Sequence, residues 1–367
     1  FKIMDFQPSQ EHLMLSDMIG KFIQNDYHLK DRIAAGNSEL GYSENTYKTL
    51  AELGIIGALF PEGVGGFGGT GYDISTVFEA LGKGLVNEPL VDSALASGYI
   101  LATTGHDALV KKLISGELRV ALALIENGAD YDWELPSQMA QKTNGIWTIS
   151  GKKTMVKYAL GTDAIIVSST TSSSEGISLF FIETAADGLN LHSFLTVDGG
   201  SASDIEFNNA PAILLGAEGQ SYDLLASAVA RNTLAVCAEA LGIMDSIKNM
   251  TINYLRTRQQ FGTVIGKFQA LQHRTAQMLL EIEQAKSAVT NAANGLEAST
   301  DEQNRTIAAA KYSIGRIGCF VAEEAIQMHG GIGMTWEYEL GHFAKRLVMI
   351  DHEWGDQDHH LMQFTTF

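Results

Sequence analysis

Two segments of the chain carry residue types at spacings that could hold a ligand, the first with arginines suited to a pyrophosphate and the second with glycines that let another group approach the backbone. The first reads Arg256-Thr-Arg-Gln-Gln-Phe-Gly-Thr-Val-Ile-Gly-Lys-Phe-Gln-Ala-Leu-Gln-His273. Two guanidiniums near a helix end meet Gly262 and Gly266, where a partner can approach the backbone closely, and arginine's planar fork takes phosphate oxygens in pairs. The same spacing fits arginines that complement a helix dipole and glycines that stop a helix. The second reads Gln327-Met-His-Gly-Gly-Ile-Gly-Met-Thr-Trp-Glu337. Gly330, Gly331 and Gly333 follow a helical pattern, with no βαβ unit around them, so they are not a dinucleotide fingerprint. A glycine-rich helix stop is the other reading. His329, His342, His359 and His360 lack compact ligand spacing and have no cysteine beside them, so no metal site is expected.

The elements that must position these strings change period twice. Up to about residue 118, Leu13, Ile19, Phe22 and Ile23, and then Leu50, Leu53, Ile56 and Leu59, recur at helical spacing. The run Pro61 to Gly69 breaks regular structure, and a further helix is expected from about Asp73 to Gly82. From about Arg119 short apolar runs predict strands at Val120–Ile125, Ile146–Ser150, Ala164–Ser168 and Ile177–Ile182, with Asn144-Gly145 as a hairpin turn. Ser168 to Ser174 is all Ser and Thr and reads as a solvated loop. From about Gln220 helices return. Ile307, Ala310, Ile314, Ile317, Val321, Ala325 and Met328 step by threes and fours, the seam of an antiparallel bundle. The expected class is α+β: a helical domain over 1–118, a small β-barrel or sandwich over 119–218, and a C-terminal four-helix bundle over 219–367.

Composition narrows the function classes. With 25 Lys and Arg against 43 Asp and Glu in 367 residues, the formal net charge is −18, which disfavours nucleic acid or an anionic membrane as partner. No stretch reaches about 18 consecutive apolar residues, so no transmembrane helix is expected. Phe1 to Gln7 lack the basic start and apolar run of a signal peptide. Cys237 and Cys319 sit in apolar helical patterns and read as buried thiols of a reducing compartment, so a cytoplasmic location is expected.

Together the R-x-Q-F-G…F-Q…Q-H and Q-x-H-G-G-x-G-x-T-x-E strings, with the α–β–α order, resemble the acyl-CoA dehydrogenase family over nearly the whole chain. Ala238-Glu-Ala-Leu-Gly-Ile-Met244 and Gly355-Asp-Gln-Asp-His-His360 look closest to the small subunits of pimeloyl-CoA dehydrogenase-like enzymes. The resemblance implies FAD as cofactor. Arg258, Gln260, Phe261, Ile265, Gln269, Gln327, Gly330 and Gly331 would contact FAD bound mainly to a neighbouring chain. It further implies an acyl-CoA substrate, with dicarboxylic or steroid-derived acyl groups suggested by the branch, an electron-transfer flavoprotein as acceptor, and a tetramer built as a dimer of dimers. In such an enzyme a carboxylate removes the α-proton while the β-hydrogen leaves as hydride to flavin N5.

The departures concern that chemistry. The family's Gly-Ser-Asp run is absent from Ala123-Leu-Ile-Glu-Asn-Gly-Ala-Asp-Tyr-Asp132, and Met155-Val-Lys-Tyr158 replaces the W-I-T or W-I-S segment along the flavin. The usual position of the base falls on Trp354, with Glu353 just before it, and the alternative position falls near Asn232. Glu353 and Glu239 are the remaining candidates, against a solvated-surface reading for Glu353 and a structural hydrogen bond for Glu239. Arg346 and Lys345 are expected in exposed ion pairs or at a cofactor or CoA contact. The sequence therefore leaves three roles open: a subunit that completes a partner's FAD site in a heteromeric enzyme, a self-sufficient dehydrogenase with a displaced base, or a non-catalytic structural subunit.

Overall fold

A computed structural model of the protein describes residues 9–137 and 139–367. Phe1 to Gln7, read above for a leader, lie outside the described residues. The first helices are α1 (Gln10–Asp26), α2 (Leu29–Gly36), α3 (Glu44–Glu52), α4 (Gly71–Lys83), α5 (Ser97–Thr103) and α6 (Asp107–Ile114), with a π-helical stretch Leu90–Ala96 leading into α5. The hydroxyls of Ser9, Ser43 and Thr70 cap α1, α3 and α4. Thr70 and Asp73 form a reciprocal capping box at α4.

By contacts the chain forms two compact units that do not follow chain order. One takes Phe1–Leu29, Thr70–Val86 and Thr233–Phe367, and the other takes Lys30–Gly69 and Asn87–Asn232. The second unit is built on seven strands: β1 (Val120–Ala123), β2 (Met139–Thr143), β3 (Ile146–Lys157), β4 (Ala164–Thr171), β5 (Ser174–Glu183), β6 (Leu189–Leu195) and β7 (Ser201–Leu215). Pairings β4–β2, β2–β3, β3–β7, β7–β5 and β5–β4 close on themselves, so the sheet is a barrel, with β1 on β4 and β6 on β7 as appendages. Closure leaves no edges within the ring. Trp147, Ile149, Val167, Phe180, Ile205 and Phe207 fill its core, Trp147 meeting Phe180 edge-on at 5.3 Å. The Asn144-Gly145 hairpin joins β2 to β3 with both residues at positive φ, as the dipeptide predicts.

The Ser/Thr run is not a solvated loop. β4 continues through Thr171 and β5 begins at Ser174, leaving only Ser172 and Ser173 as the turn. Ser168 and Ser169 are fully buried. The physical reason is Lys153, itself fully buried, whose Nζ donates to Ser168 Oγ at 3.2 Å and to Leu124 O at 2.9 Å. The inward Ser168 hydroxyl serves an interior ammonium, while Ser169 Oγ donates to Thr170 O at 2.9 Å. β2, β6 and β7 lie outside the strands expected from the sequence: β2 and β6 are largely exposed, and β7 carries an apolar run only in its last residues, Ala210–Leu215.

The first unit is helical: α1 and α4, α7 (Tyr222–Thr257) from Thr233 onward, α8 (Gln269–Gly295), α9 (Thr300–His329), α10 (Leu340–Asp351) and α11 (Gln357–Phe364). The predicted seam holds, with Ile307, Ala310, Ile314, Ile317, Val321, Ala325 and Met328 all buried along α9. α7 is long and apolar enough to cross a membrane by length and composition, but most of that apolar stretch is buried inside the protein.

Candidate functional site

Both sequence strings lie where long helices of the first unit end. α7 stops at Thr257, and Arg258 N donates back to Tyr254 O at 2.8 Å. The chain then makes a miniature hairpin, β8 (Gln259–Gln260) against β9 (Thr263–Val264), which Ile265 N closes by donating to Arg258 O at 2.9 Å. Its turn residues, Phe261 at φ 54° and Gly262 at φ 78°, are both left-handed. That geometry matches the strand twist and is cheap only where glycine or a tolerant residue stands. It throws Phe261 outward, 90% exposed, with Arg258 and Gln260 also exposed. Ile265 is half-buried, and Gln269 is exposed at the first position of α8.

At the other string α9 ends on His329, with Gln327 exposed two residues earlier. Gly330 adopts φ 67° and ψ −148°, a region open to glycine alone, and a short 3-10 turn Gly330–Met334 follows. A side chain added at Gly262, Gly330 or Gly331 would meet nothing within 4 Å. The donor set is thus one guanidinium, three side-chain amides and unobstructed glycine backbone, all facing solvent. That chemistry fits a dinucleotide's pyrophosphate and polar groups. The helices that lead into the two strings are in contact, since Tyr254 of α7, two residues before the first string, and His329 of α9 stack with ring centroids 4.5 Å apart.

The carboxylates considered for proton abstraction are also brought together. Arg346 on α10 takes Glu239 of α7 in a bidentate pair, Nε to Oε1 at 2.7 Å and NH2 to Oε2 at 2.8 Å. The same guanidinium bonds Glu353 through NH1 to Oε1, and through NH2 to Oε2 at 3.3 Å. The side chains of Arg346, Glu239 and Glu353 are 11%, 8% and 9% exposed. Glu353 is therefore not on the solvated surface, and Arg346 is not in an exposed pair. Lys345 instead lies over the Trp336 ring at 4.4 Å.

The loop bearing Glu353 is held from behind. Buried Lys311 donates to Asp351 O at 2.9 Å and to Gly355 O, and buried His360 donates from Nε2 to Trp354 O at 2.8 Å. Trp354, where the resemblance implies the base, sits at φ 57°. In the second unit Asn232 is fully buried, and its amide donates to Asp92 Oδ1 at 2.9 Å.

The model of the acyl-CoA dehydrogenase N-terminal domain matches residues 9–119, and that of the C-terminal domain matches residues 222–363. The chain belongs to the acyl-CoA dehydrogenase family. Similar proteins include the glutaryl-CoA dehydrogenase of Desulfococcus multivorans, 27% identical over 93% of this chain and 92% of that one. Another is the 3-(aryl)acrylate reductase of Clostridium sporogenes, 26% identical over 84% and 86% respectively. Among solved structures, the Tcur3481-Tcur3483 steroid ACAD superposes with a TM-score of 0.88, at 25% identity over 97% of each chain.

The β-unit residues singled out in the sequence as departures from the family resemblance are each engaged. Glu126, in the stretch without Gly-Ser-Asp, is turned onto Lys153 at 2.8 Å and also accepts from Ser137 N at 3.0 Å. Burial would raise its carboxyl, but the Lys153 and Ser137 hydrogen bonds hold it below the usual carboxylate range. Met155 stands at φ 54°, half exposed, with its N–H on Asp204 Oδ1 at 3.1 Å. The Tyr158 hydroxyl donates to Asn87 Oδ1 at 3.1 Å. Sequence reasoning passed over Tyr254, Lys311 and Asp92. None lies in a motif, and only a charged residue inside an apolar helical seam hinted at Lys311.

Proposed function

We propose that this acyl-CoA dehydrogenase family chain is one subunit of a heteromeric, FAD-dependent enzyme that converts an acyl-CoA to its 2,3-enoyl thioester. Its own part is to complete the FAD site of a partner chain that owns the catalytic carboxylate. The observation that carries this reading is the Arg346 cluster. Both candidate bases of this chain are bound to one guanidinium, so their oxygens are already engaged and turned onto Arg346 rather than toward a substrate. Trp354 and Asn232 stand where the family resemblance implies a base, and neither has a carboxylate.

In this reading Arg258 bonds the pyrophosphate oxygens, Gln260, Gln269 and Gln327 donate to polar groups of the nucleotide, and Gly330 and Gly331 let the backbone come close. Phe261 and Ile265 cover its apolar faces. FAD, when bound, supplies the acceptor for the hydride. An electron-transfer flavoprotein then takes the electrons, the assembly is a dimer of dimers, and the two unbridged cysteines suit the cytoplasm. Steroid-derived or dicarboxylic acyl groups are the proposed substrates.

Two variants of the assembled protein test the reading. Arg258→Ala should lower the flavin content per chain, because a charge-assisted phosphate contact is lost. Unchanged flavin would sink the cofactor role. Glu353→Gln should leave turnover near the wild-type rate, whereas a loss of about a hundredfold or more, as for removal of a general base, would make Glu353 the base and the chain self-sufficient.

A further inference from the structure

We propose that His329 is a positioning residue for the cofactor-binding segments. It clamps the end of α9, with the Gly330–Gly331 turn, onto the end of α7, with the Arg258 hairpin, so that both meet the dinucleotide as one preformed unit. The inference rests on the reading that these segments close an FAD site.

The His329 imidazole and the Tyr254 ring are 4.5 Å apart at an interplanar angle of 25°, a stacked pair. Tyr338 closes the cluster, its ring 5.3 Å from His329 and 6.5 Å from Tyr254. The imidazole is 4% exposed. Its Nδ1 lies 2.8 Å from Ala325 O, and a carbonyl only accepts, so Nδ1 carries the proton and Nε2 is a bare acceptor. Nε2 has no hydrogen-bond partner among the described residues. The ring is thus pinned to its own helix by one hydrogen bond and to α7 by aromatic contact alone.

Each stacked residue is wired through the backbone to a cofactor residue. Tyr254 O accepts from Arg258 N at 2.8 Å, and Arg258 O in turn accepts the N–H that closes the hairpin. His329 is followed directly by Gly330, so it is the last side chain able to hold the turn before the backbone leaves the helix. Beyond it Gly330 and Gly331 have nothing packed against their α-carbons within reach of a methyl group, and the same holds for Gly262 in the hairpin. Two such segments, unlinked, would each have to be ordered when the ligand binds. Linked by the stack, that ordering is done beforehand, and preorganisation of this kind appears as affinity.

The test uses the assembled full-length protein, with FAD dissociation followed by flavin fluorescence and the melting temperature of the flavin-free form measured in parallel. His329→Leu, which keeps the volume but removes the ring, should weaken FAD binding about three- to tenfold, the scale of one aromatic pair, while the flavin-free melting temperature stays close to wild type. His329→Phe, which restores the ring without the imidazole nitrogens, should recover most of the affinity. Wild-type FAD binding in His329→Leu, when Arg258→Ala has lost flavin, overturns the clamp and leaves the cofactor reading standing. Unchanged binding in both variants overturns both. A loss in His329→Leu that tracks an equal loss of flavin-free stability, or that His329→Phe does not repair, also overturns the clamp. Should His329→Leu fail to fold, Tyr254→Leu removes the same contact from the other helix and is read by the same criteria.

Discussion

The Glu239–Arg346–Glu353 cluster places two anions and one cation where little water reaches them. Such a group is sensitive to the loss of its central member, because desolvated carboxylates are left facing each other. Arg346→Met should therefore destabilise the protein by about 3–5 kcal/mol in chemical unfolding, and a loss below about 1 kcal/mol would mean that water already compensates the carboxylates. His360 gives a pH dependence of definite sign. Burial, then the nearby Lys311 ammonium and His359, push its pKa down from 6.5 to about 3, against the opposing effects of its Trp354 O hydrogen bond and Asp356. Between those values the unfolded chain holds a proton that the folded chain refuses, so stability is full above pH 6.5 and falls as the pH drops toward 3. His360→Gln should flatten that acid limb, as read by unfolding free energy against pH, and an unchanged slope would assign the dependence to other groups.

Helix contacts in the first unit depend on missing side chains. A β-carbon at Gly82 of α4 would sit 2.1 Å from Glu239 O of α7, and one at Gly242 of α7 would sit 2.0 Å from Glu79 O of α4. The two backbones touch through paired glycines, and Glu239 is at the point of contact. Gly82→Ala must push the helices apart, at a cost of about 1–3 kcal/mol typical of overpacking, and should shift Glu239 off Arg346. A calorimetric melt reads the first effect. A wild-type melting temperature would mean that α4 can slide without loss. The Phe261-Gly262 turn is the opposite case, where space is open and only φ constrains the residue.

At the scale of the whole chain the net charge of −18 acts against compactness. Raising the salt from about 0.05 M to about 0.5 M should shorten the screening length enough to relieve that repulsion and raise the melting temperature. A fall instead would show that ion pairs such as Arg274–Glu324 and Arg119–Asp163 outweigh the net repulsion.

What the sequence determined by itself were local properties: the helical seam of α9, the left-handed turn at Asn144-Gly145, the glycine exit from α9, and long motifs specific enough to reveal the family. Each depends on residues within a few positions of one another, where period and backbone freedom decide. Only the tertiary structure decided how Ser168, Arg346 and Tyr254 are used. Ser168 is drawn inward by Lys153, Arg346 takes Glu353, which the sequence left between catalysis and the surface, and Glu239, which it left between catalysis and a structural hydrogen bond, and Tyr254 meets His329 from a different helix. Partners so distant in sequence leave no local pattern, because their energies come from desolvation and contact that exist only once the chain has closed around them.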